Sequence, residues 1–210
     1  MPGFGQITPA QAMRRIGIPD APLIIYVRSD DDLAALPRVI PTTRRVAHTA
    51  IATLPAPGAP WVTRHRPKID RIACPWLIRR FISPSARFLF VAPTEVAEVA
   101  DRFGAIPFDI EGVAFSDRGD QCTFDALLDD FGLHTDALDR MANVIRAADT
   151  DRHDLAPQAA GLLALSVGLS RMCHDDLTQL SAGIALYDAL YRWARDGHEE
   201  GHDWPEVRKA

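Results

Sequence analysis

Cysteine is scarce in this chain: its 210 residues include only Cys74, Cys122 and Cys173, and no two of them form a CxxC pair. Three scattered cysteines exclude a disulfide framework and predict reduced thiols in a cytoplasmic protein. Long apolar runs are also missing, because the longest, at residues 162–169, is far below the roughly 20 residues that cross a bilayer. No basic segment followed by an apolar run opens the chain, so we expect neither a secretory signal nor a membrane span.

The chain also lacks a strong excess of positive charge. It has 23 Lys and Arg against 28 Asp and Glu, a net charge of −5 with neutral histidines. This balance excludes a broadly basic surface, and no helix-turn-helix with basic recognition residues is visible, so nucleic acid is not an expected partner. Apolar residues make up 47% and charged residues 24% of the chain, which is the composition of a globular protein with a real core.

Proline and glycine concentrate at one place, residues 54–60, where neither a regular helix nor a central strand is expected. We therefore divide the chain into residues 1–60, a main domain at 61–197 and a polar tail at 198–210. The tail contains His-Glu-Glu-Gly-His at 198–202, which matches a zinc-protease pattern. Its glycines and the nearby Pro205 disfavour the helix that such a site needs.

Apolar patterns predict an α+β fold that is predominantly helical. Short strands are expected in the N-terminal and middle parts, and a helical bundle is expected in the C-terminal half. Runs of apolar residues predict strands at 23–27, 61–63 with a continuation at 68–70, 88–91, 107–110 and 112–115.

Helix signals are strongest after residue 120. Gly132 is a natural stop for a helix that begins near Thr123. Residues 138, 141, 145 and 148 recur on one helix face, as do 177, 180, 184, 187 and 191. A helix that starts at Pro157 is apolar nearly all round, which predicts a central position. Further helices are expected at residues 10–16, 75–83 and 94–103.

Basic residues surround Cys74. Pro75 suits the first turn of a helix, which would place Cys74 close to the N-cap, where backbone N–H groups and the helix dipole attract anions and lower a thiol pKa. Lys68 and Arg71 lie a few residues before it. This pattern predicts an oxyanion-binding locus formed by Lys68, Arg71 and Cys74. The alternative is a buried, inert cysteine beside solvated charges.

Acidic residues cluster at two other places. Asp109 and Glu111 share one face of a predicted strand, and Asp149, His153 and Asp154 lie between two strongly specified helices. Because these segments enter the same core, their polar ends are expected to meet. Asp109, Asp149, His153 and Asp154 are therefore predicted to bind a divalent metal such as Mn, Fe or Zn. The alternative is that these residues cap separate helices and turns.

Four blocks of residues match one known family in the same order. The first contains Lys68-Ile69-Asp70-Arg71-Ile72-Ala73-Cys74-Pro75-Trp76, and the others lie at residues 104–110, 119–125 and 147–158. Over residues 61–195 the chain resembles the C-terminal domain of the bacterial chromate-resistance proteins that accompany the chromate efflux transporter. The resemblance implies an accessory or chromate-responsive regulatory protein.

Residues 7–46 are similar to the opening of a rhodanese-like sulfurtransferase domain, which some family members carry in front. A rhodanese transfers sulfur through a cysteine persulfide, and this chain has no cysteine before Cys74. The segment therefore looks shortened, and sulfurtransferase activity is not expected. Asp117 stands where the family pattern is expected to have a histidine, which would make a metal site there altered, more carboxylate-rich or weaker.

Three functions follow as hypotheses. The first is a cytosolic chromate-resistance protein that binds a small oxyanion such as chromate, a divalent metal, or both. The second is a metal-dependent enzyme whose substrate the sequence does not identify. The third is a helical interaction module, with a homodimer formed through an apolar face.

Overall fold

The structure, a computed structural model, describes residues 55–201 and two short strands before them. These are β1 (Ile25–Tyr26) and β2 (Arg44–Arg45), which pair in parallel. The predicted helix at 10–16, most of the rhodanese-like segment and the tail after residue 201 lie outside the described residues. Within the described helices, none is both long and apolar enough to cross a membrane.

A three-stranded parallel sheet organises the first half of the main domain. It consists of β3 (Pro60–Arg64), β4 (Arg87–Val91) and β5 (Ile106–Pro107), with β3 in the middle. The strands predicted at 61–63 and 88–91 are confirmed. The strand predicted at 107–110 is observed only at its first residue, which lies in β5, and the strand at 112–115 is wrong, because Asp109 has a φ of 50° and the chain turns back there. Only an isolated bridge joins Phe108 to Phe115.

The two faces of β3 enter different apolar cores. Val62 packs with Val96 and Ala105 under helix α2 (Val96–Phe103). Trp61 faces the main core, which all the remaining helices share. Alternation along one central strand therefore separates a small layer from the large helical layer that carries most of the buried surface.

Helix α1 (Asp70–Leu77) occupies the centre of that main core, where every residue from Ile72 to Leu77 is buried. It begins five residues before the predicted start, so the placement of Pro75 in the first turn and of Cys74 at the N-cap is wrong, as is the strand at 68–70. Pro75 lies inside the helix, where its missing N–H leaves the Arg71 carbonyl without its helical donor. The helix widens directly afterwards into a π-helical turn at Ile78–Ile82.

The second half is helical, which confirms the α+β, predominantly helical fold. The stop at Gly132 and the buried face through Leu138, Met141, Ile145 and Ala148 are both confirmed, since Gly132 has a φ of 58° and all four side chains are buried. The helices are α3 (Thr123–Phe131), α4 (Asp136–Asp149), α5 (Ala159–Met172) and α6 (Asp176–Arg192).

Helix α5 does not lie where the sequence predicts it. Only Ala159, Leu162 and Ser166 are buried, while Leu165 and Met172 are 54% and 68% exposed. The central position belongs to α1, which contacts α3, α4 and α6. Apolar residues on all sides of a helix show that it can be buried, but they do not show which of its faces meets the core.

Candidate functional site

Four aspartates converge where several elements begin or end. Asp70 is the first residue of α1, Asp109 follows β5, Asp117 precedes α3, and Asp149 is the last residue of α4. One carboxylate oxygen each from Asp70, Asp109 and Asp117 lies within 4.8 Å of the other two. Asp149 joins them because its charge raises the pKa of Asp70, while the Asp70 backbone N–H lowers the pKa of Asp149. We call these four residues the aspartate cluster.

Asp70 is the most deeply buried member of the cluster. The residue is 1% exposed, and its Oδ2 accepts a hydrogen bond of 3.2 Å from the backbone N–H of Phe124 in the first turn of α3. Its Oδ1 is buried and has no hydrogen-bond partner among the described residues. A buried carboxylate oxygen without a donor is costly, so binding a proton or a cation at this atom would lower the free energy of the site.

Asp109 is the member of the cluster whose charge is balanced. Its Oδ2 lies 3.2 Å from Arg64 Nη2 and 3.1 Å from Arg71 Nε. Its Oδ1 lies 3.4 Å from Thr123 Oγ1, whose hydroxyl also lies 2.7 Å from Asp117 Oδ1. A hydroxyl has a single proton to donate, and the shorter contact indicates that Thr123 donates it to Asp117. Asp109 therefore has one oxygen held by two arginines and one without a close donor.

The electrostatics of the cluster show an excess of negative charge. The pKa of Asp70 is raised well above its usual range, first by burial and then by the charges of Asp149 and Asp109. The pKa of Asp109 is also raised by burial, against the opposing effect of Arg71 and Arg64. Asp149 reaches solvent, yet partial removal from water and the charges of Asp109 and Asp117 raise its pKa to about 6. Two arginines do not neutralise four carboxylates at this junction.

The backbone segment that leads into α1 is strained, and side chains from a helix much later in the sequence hold it in place. Arg66 and Ile69 have positive φ values of 55° and 38°, and a positive φ is unusual for a β-branched residue such as isoleucine. Helix α6 fixes this segment, because the Gln179 side chain donates to the Pro67 carbonyl and the Tyr187 hydroxyl donates to the Ile69 carbonyl at 3.0 Å. These contacts set the position from which Asp70 enters the cluster.

The residues that the sequence predicts for a metal separate into two groups. Asp109 and Asp149 are both in the cluster. Asp154 instead forms an exposed ion pair of 3.0 Å with Arg152, and His153 Nε2 lies 3.7 Å from Asp151 Oδ1. Both of these charged contacts therefore join residues of the same turn, 151–154. A metal site made of all four residues stays a prediction.

The three residues predicted to bind an oxyanion have different surroundings. Arg71 pairs with Asp109 and also donates from Nη1 to the His65 carbonyl at 3.0 Å. Cys74 is fully buried in the main core, and burial raises the pKa of its thiol well above the usual range, with the Asp70 charge as the second cause. Lys68 is half-buried in the loop before α1. Oxyanion binding by Lys68, Arg71 and Cys74 also stays a prediction.

Sequence reasoning did not select Asp70 or Asp117 as ligands. Asp70 was assigned to the end of a strand within a basic segment, so its role at the start of a helix was missed. The apolar residues Ile72, Ala73, Trp76 and Leu77 after it have helical spacing, and an acidic residue just before such a pattern is a helix-start signal. Asp117 was considered as part of an acidic segment and as a departure from the family pattern at a metal site, but it was not chosen as a ligand.

The donors of the cluster are hard oxygen atoms. Carboxylates are the ligands that Mg²⁺, Ca²⁺ and Mn²⁺ prefer, whereas soft metals prefer thiolates. Cys122 lies nearby at the N-cap of α3, but burial is the main reason that its thiol pKa is raised, so it is not a ready thiolate. The cluster is therefore suited to a hard cation.

Comparisons with known proteins identify relatives of this domain. The family model described as "ChrB, C-terminal domain" matches residues 61–194. Protein ChrB of Cupriavidus metallidurans is 38% identical over 136 residues, which is 64% of this chain. The matched region is 40% of the length of that relative. No solved structure matches the chain.

Proposed function

The chain belongs to the ChrB C-terminal domain family, and from this premise we propose that it is a cytoplasmic accessory or regulatory protein of chromate resistance that binds a divalent metal at the aspartate cluster. The family supports the association with chromate resistance. One observation supports the proposed metal site. Asp70 Oδ1 is buried without a hydrogen-bond partner among the described residues, beside the carboxylates of Asp109 and Asp117.

Charge balance supports a cation at this place. Bringing several carboxylates together in a partly dry site raises the free energy of their charged forms, and a bound divalent ion reverses that effect. Asp70 and Asp117 supply carboxylate oxygens that no arginine neutralises among the described residues. Asp109 adds an oxygen while Arg64 and Arg71 hold its other oxygen in place.

The ligand set also narrows the choice of metal. Mn, Fe and Zn were expected when the set included the imidazole of His153. With oxygen donors alone, Mn²⁺ fits best among these three, because Zn and Fe sites more often include imidazole or thiolate. A bound ion would link the starts of α1 and α3 to the end of β5. Such a link gives a regulatory protein one point at which a ligand could alter several elements.

Titration calorimetry with Mn²⁺ on the untagged full-length chain tests this proposal. We expect one site for the wild type and at least a tenfold loss of affinity in Asp117→Asn, which replaces a charged ligand with a neutral amide oxygen at an exposed residue and so leaves the core intact. Asp154→Asn is the matched control and should bind as the wild type does. Equal Mn²⁺ affinity in the wild type, Asp117→Asn and Asp70→Asn would refute the metal site.

Oxyanion binding is a second candidate function, and the observation that favours it is on Arg64. The Arg64 side chain is 38% exposed at the edge of the cluster, and its buried Nε has no acceptor among the described residues. An oxyanion such as chromate could accept from Arg64 with Lys68 nearby in sequence. Chromate and sulfate titrations with Lys68→Ala and Arg64→Ala, each with and without Mn²⁺, test the idea. Unchanged anion affinity in both variants would exclude it.

A further inference from the structure

An exposed apolar stripe runs along helix α5. Gly161, Leu165, Gly168 and Met172 are spaced by four, three and four residues, so they lie on one side of the helix. All four are exposed, Leu165 by 54% and Met172 by 68%. We call them the α5 stripe. Large and small residues alternate along it.

The two glycines have no explanation within the described part of the chain. A Cβ built at Gly161 or Gly168 meets no atom within 4 Å. Glycine inside a helix costs about 1 kcal/mol relative to alanine, so an open helical surface would favour alanine at both places. At Gly183 the reason is visible, because a Cβ there would lie 2.5 Å from Ile72 Cγ2. Glycines on an open helix face instead suit the close approach of another surface.

The alternation of small and large residues makes the stripe complementary to a second copy of itself that runs in the opposite direction. If a second α5 runs antiparallel about a twofold axis midway between residues 165 and 168, Leu165 meets Gly168 of the second copy, and Met172 meets Gly161 of the second copy. Each large side chain then faces a glycine. We propose that the α5 stripe is a homodimer interface, in which α5 packs antiparallel against α5 of a second copy of this chain.

The charge and area of the stripe fit this partner. Arg171 is the single charged residue of α5, so two copies approach with little like-charge repulsion. Leu165 and Met172 together offer on the order of 200 Å² of apolar surface per copy. A standard interface buries about 800 Å² per partner with a polar rim around an apolar core. The stripe supplies such a core, and a reversible dimer is expected.

Exchanging large and small residues tests the interface and its register together. Sedimentation velocity on the full chain should show a dimer for the wild type. Gly168→Leu places its leucine against Leu165 of the second copy, and Leu165→Gly leaves a cavity opposite Gly168 of the second copy. Each substitution should therefore raise the dimer dissociation constant at least tenfold. The double variant Leu165→Gly/Gly168→Leu restores a large residue opposite a small one and should recover most of the affinity. Circular dichroism checks that every variant is folded.

Val167→Glu provides the matched control. Val167 is also exposed on α5, by 40%, but it points to a different side of the helix from the stripe. This variant should dimerise as the wild type does. The proposal is overturned if the wild-type chain is a monomer at all accessible concentrations, as it would be if another part of the same chain covers the stripe. It is also overturned if Val167→Glu disrupts a dimer as strongly as Gly168→Leu, or if the double variant fails to recover.

Discussion

The aspartate cluster and the turn at residues 151–154 are both rich in charged residues, but their charges have different surroundings. In the turn, Asp154 pairs with Arg152 in water, and the side chain of Asp151 is 90% exposed. In the cluster, Asp70 is 1% exposed and Asp109 is 6% exposed, and two arginines face four carboxylates. Charge density in the sequence is therefore a poor guide to net charge in space, because burial and the ratio of signs decide what a group of charges can bind.

Removing Asp109 should produce the largest effect. Asp109→Ala leaves Arg64 and Arg71 without their shared carboxylate, and losing charged hydrogen bonds at a partly buried carboxylate costs about 3 kcal/mol. We expect this loss in the free energy of unfolding, measured by urea denaturation with a chelator present. Asp154→Ala, which breaks an ion pair in the turn, should leave the denaturation midpoint unchanged. Equal effects of the two substitutions would remove the distinction between the regions.

The next effect tests how tightly the cluster is positioned. Gly183→Ala puts a Cβ 2.5 Å from Ile72 Cγ2 in the main core, and overpacking of this kind costs about 2 kcal/mol. Because α6 fixes the segment before Asp70, we also expect weaker Mn²⁺ binding. In an Ile72→Ala background, the same glycine substitution should cost almost nothing, which denaturation of the double variant checks. Additive costs would show that this contact is not the cause.

A smaller effect of opposite sign is expected at Asp149. Asp149→Asn removes one negative charge from the cluster and keeps an oxygen that can accept from the Asp70 N–H. Without metal, the variant should unfold at a temperature higher by roughly 2–4 °C, because repulsion with Asp109 and Asp117 falls. Asp151→Asn removes a charge from the turn, where asparagine also tolerates the φ of 57°, and should leave the melting temperature unchanged.

The smallest effect concerns His134, an exposed histidine outside both regions. Its Nδ1 and Nε2 lie 2.8 Å from Asp139 and Asp129, and the hydrogen bond to Asp139 is the first cause of its raised pKa. A raised folded pKa contributes stability below the unfolded value of 6.5, and this stability is lost as pH rises through the folded pKa. We expect a loss of a few tenths of a kcal/mol above neutral pH, as exposed pairs give. His134→Gln should abolish this pH dependence, and an unchanged profile would show that another group titrates.

The elements that the sequence predicts well are those that local rules decide. The stop of α3 depends on Gly132, and the buried face of α4 depends on the spacing of Leu138, Met141 and Ile145, both of which can be read within a few turns. The start of α1 is different. It requires Ile69 at a positive φ, and contacts from α6 more than 100 residues later hold that segment. No local pattern reveals such a contact.

The candidate site could be predicted only in part from the sequence, for the same reason. Asp109 and Asp149 were expected to approach each other because both end elements with strong apolar faces, and the structure places both in the cluster. Asp70 was missed with the start of α1, since the error in that helix hid the carboxylate at its first residue. His153 was included because it was expected to project beside Asp149 at the mouth of the helical bundle, and its role as a metal ligand stays a prediction. The chain turns between these two residues at Asp151, which has a positive φ.

The contacts that hold the segment before α1 also determine when, during synthesis of the chain, the aspartate cluster can reach its final structure. Gln179 and Tyr187 are 112 and 118 residues away from the carbonyls to which they donate. A ribosome adds about 5–20 residues per second, so on the order of ten seconds separates the synthesis of Ile69 from that of Tyr187. Nascent chains that stop before α6 contain all four aspartates but lack the helix that orients Asp70. The metal affinity that we propose should therefore appear only after α6 has emerged from the ribosome and docked.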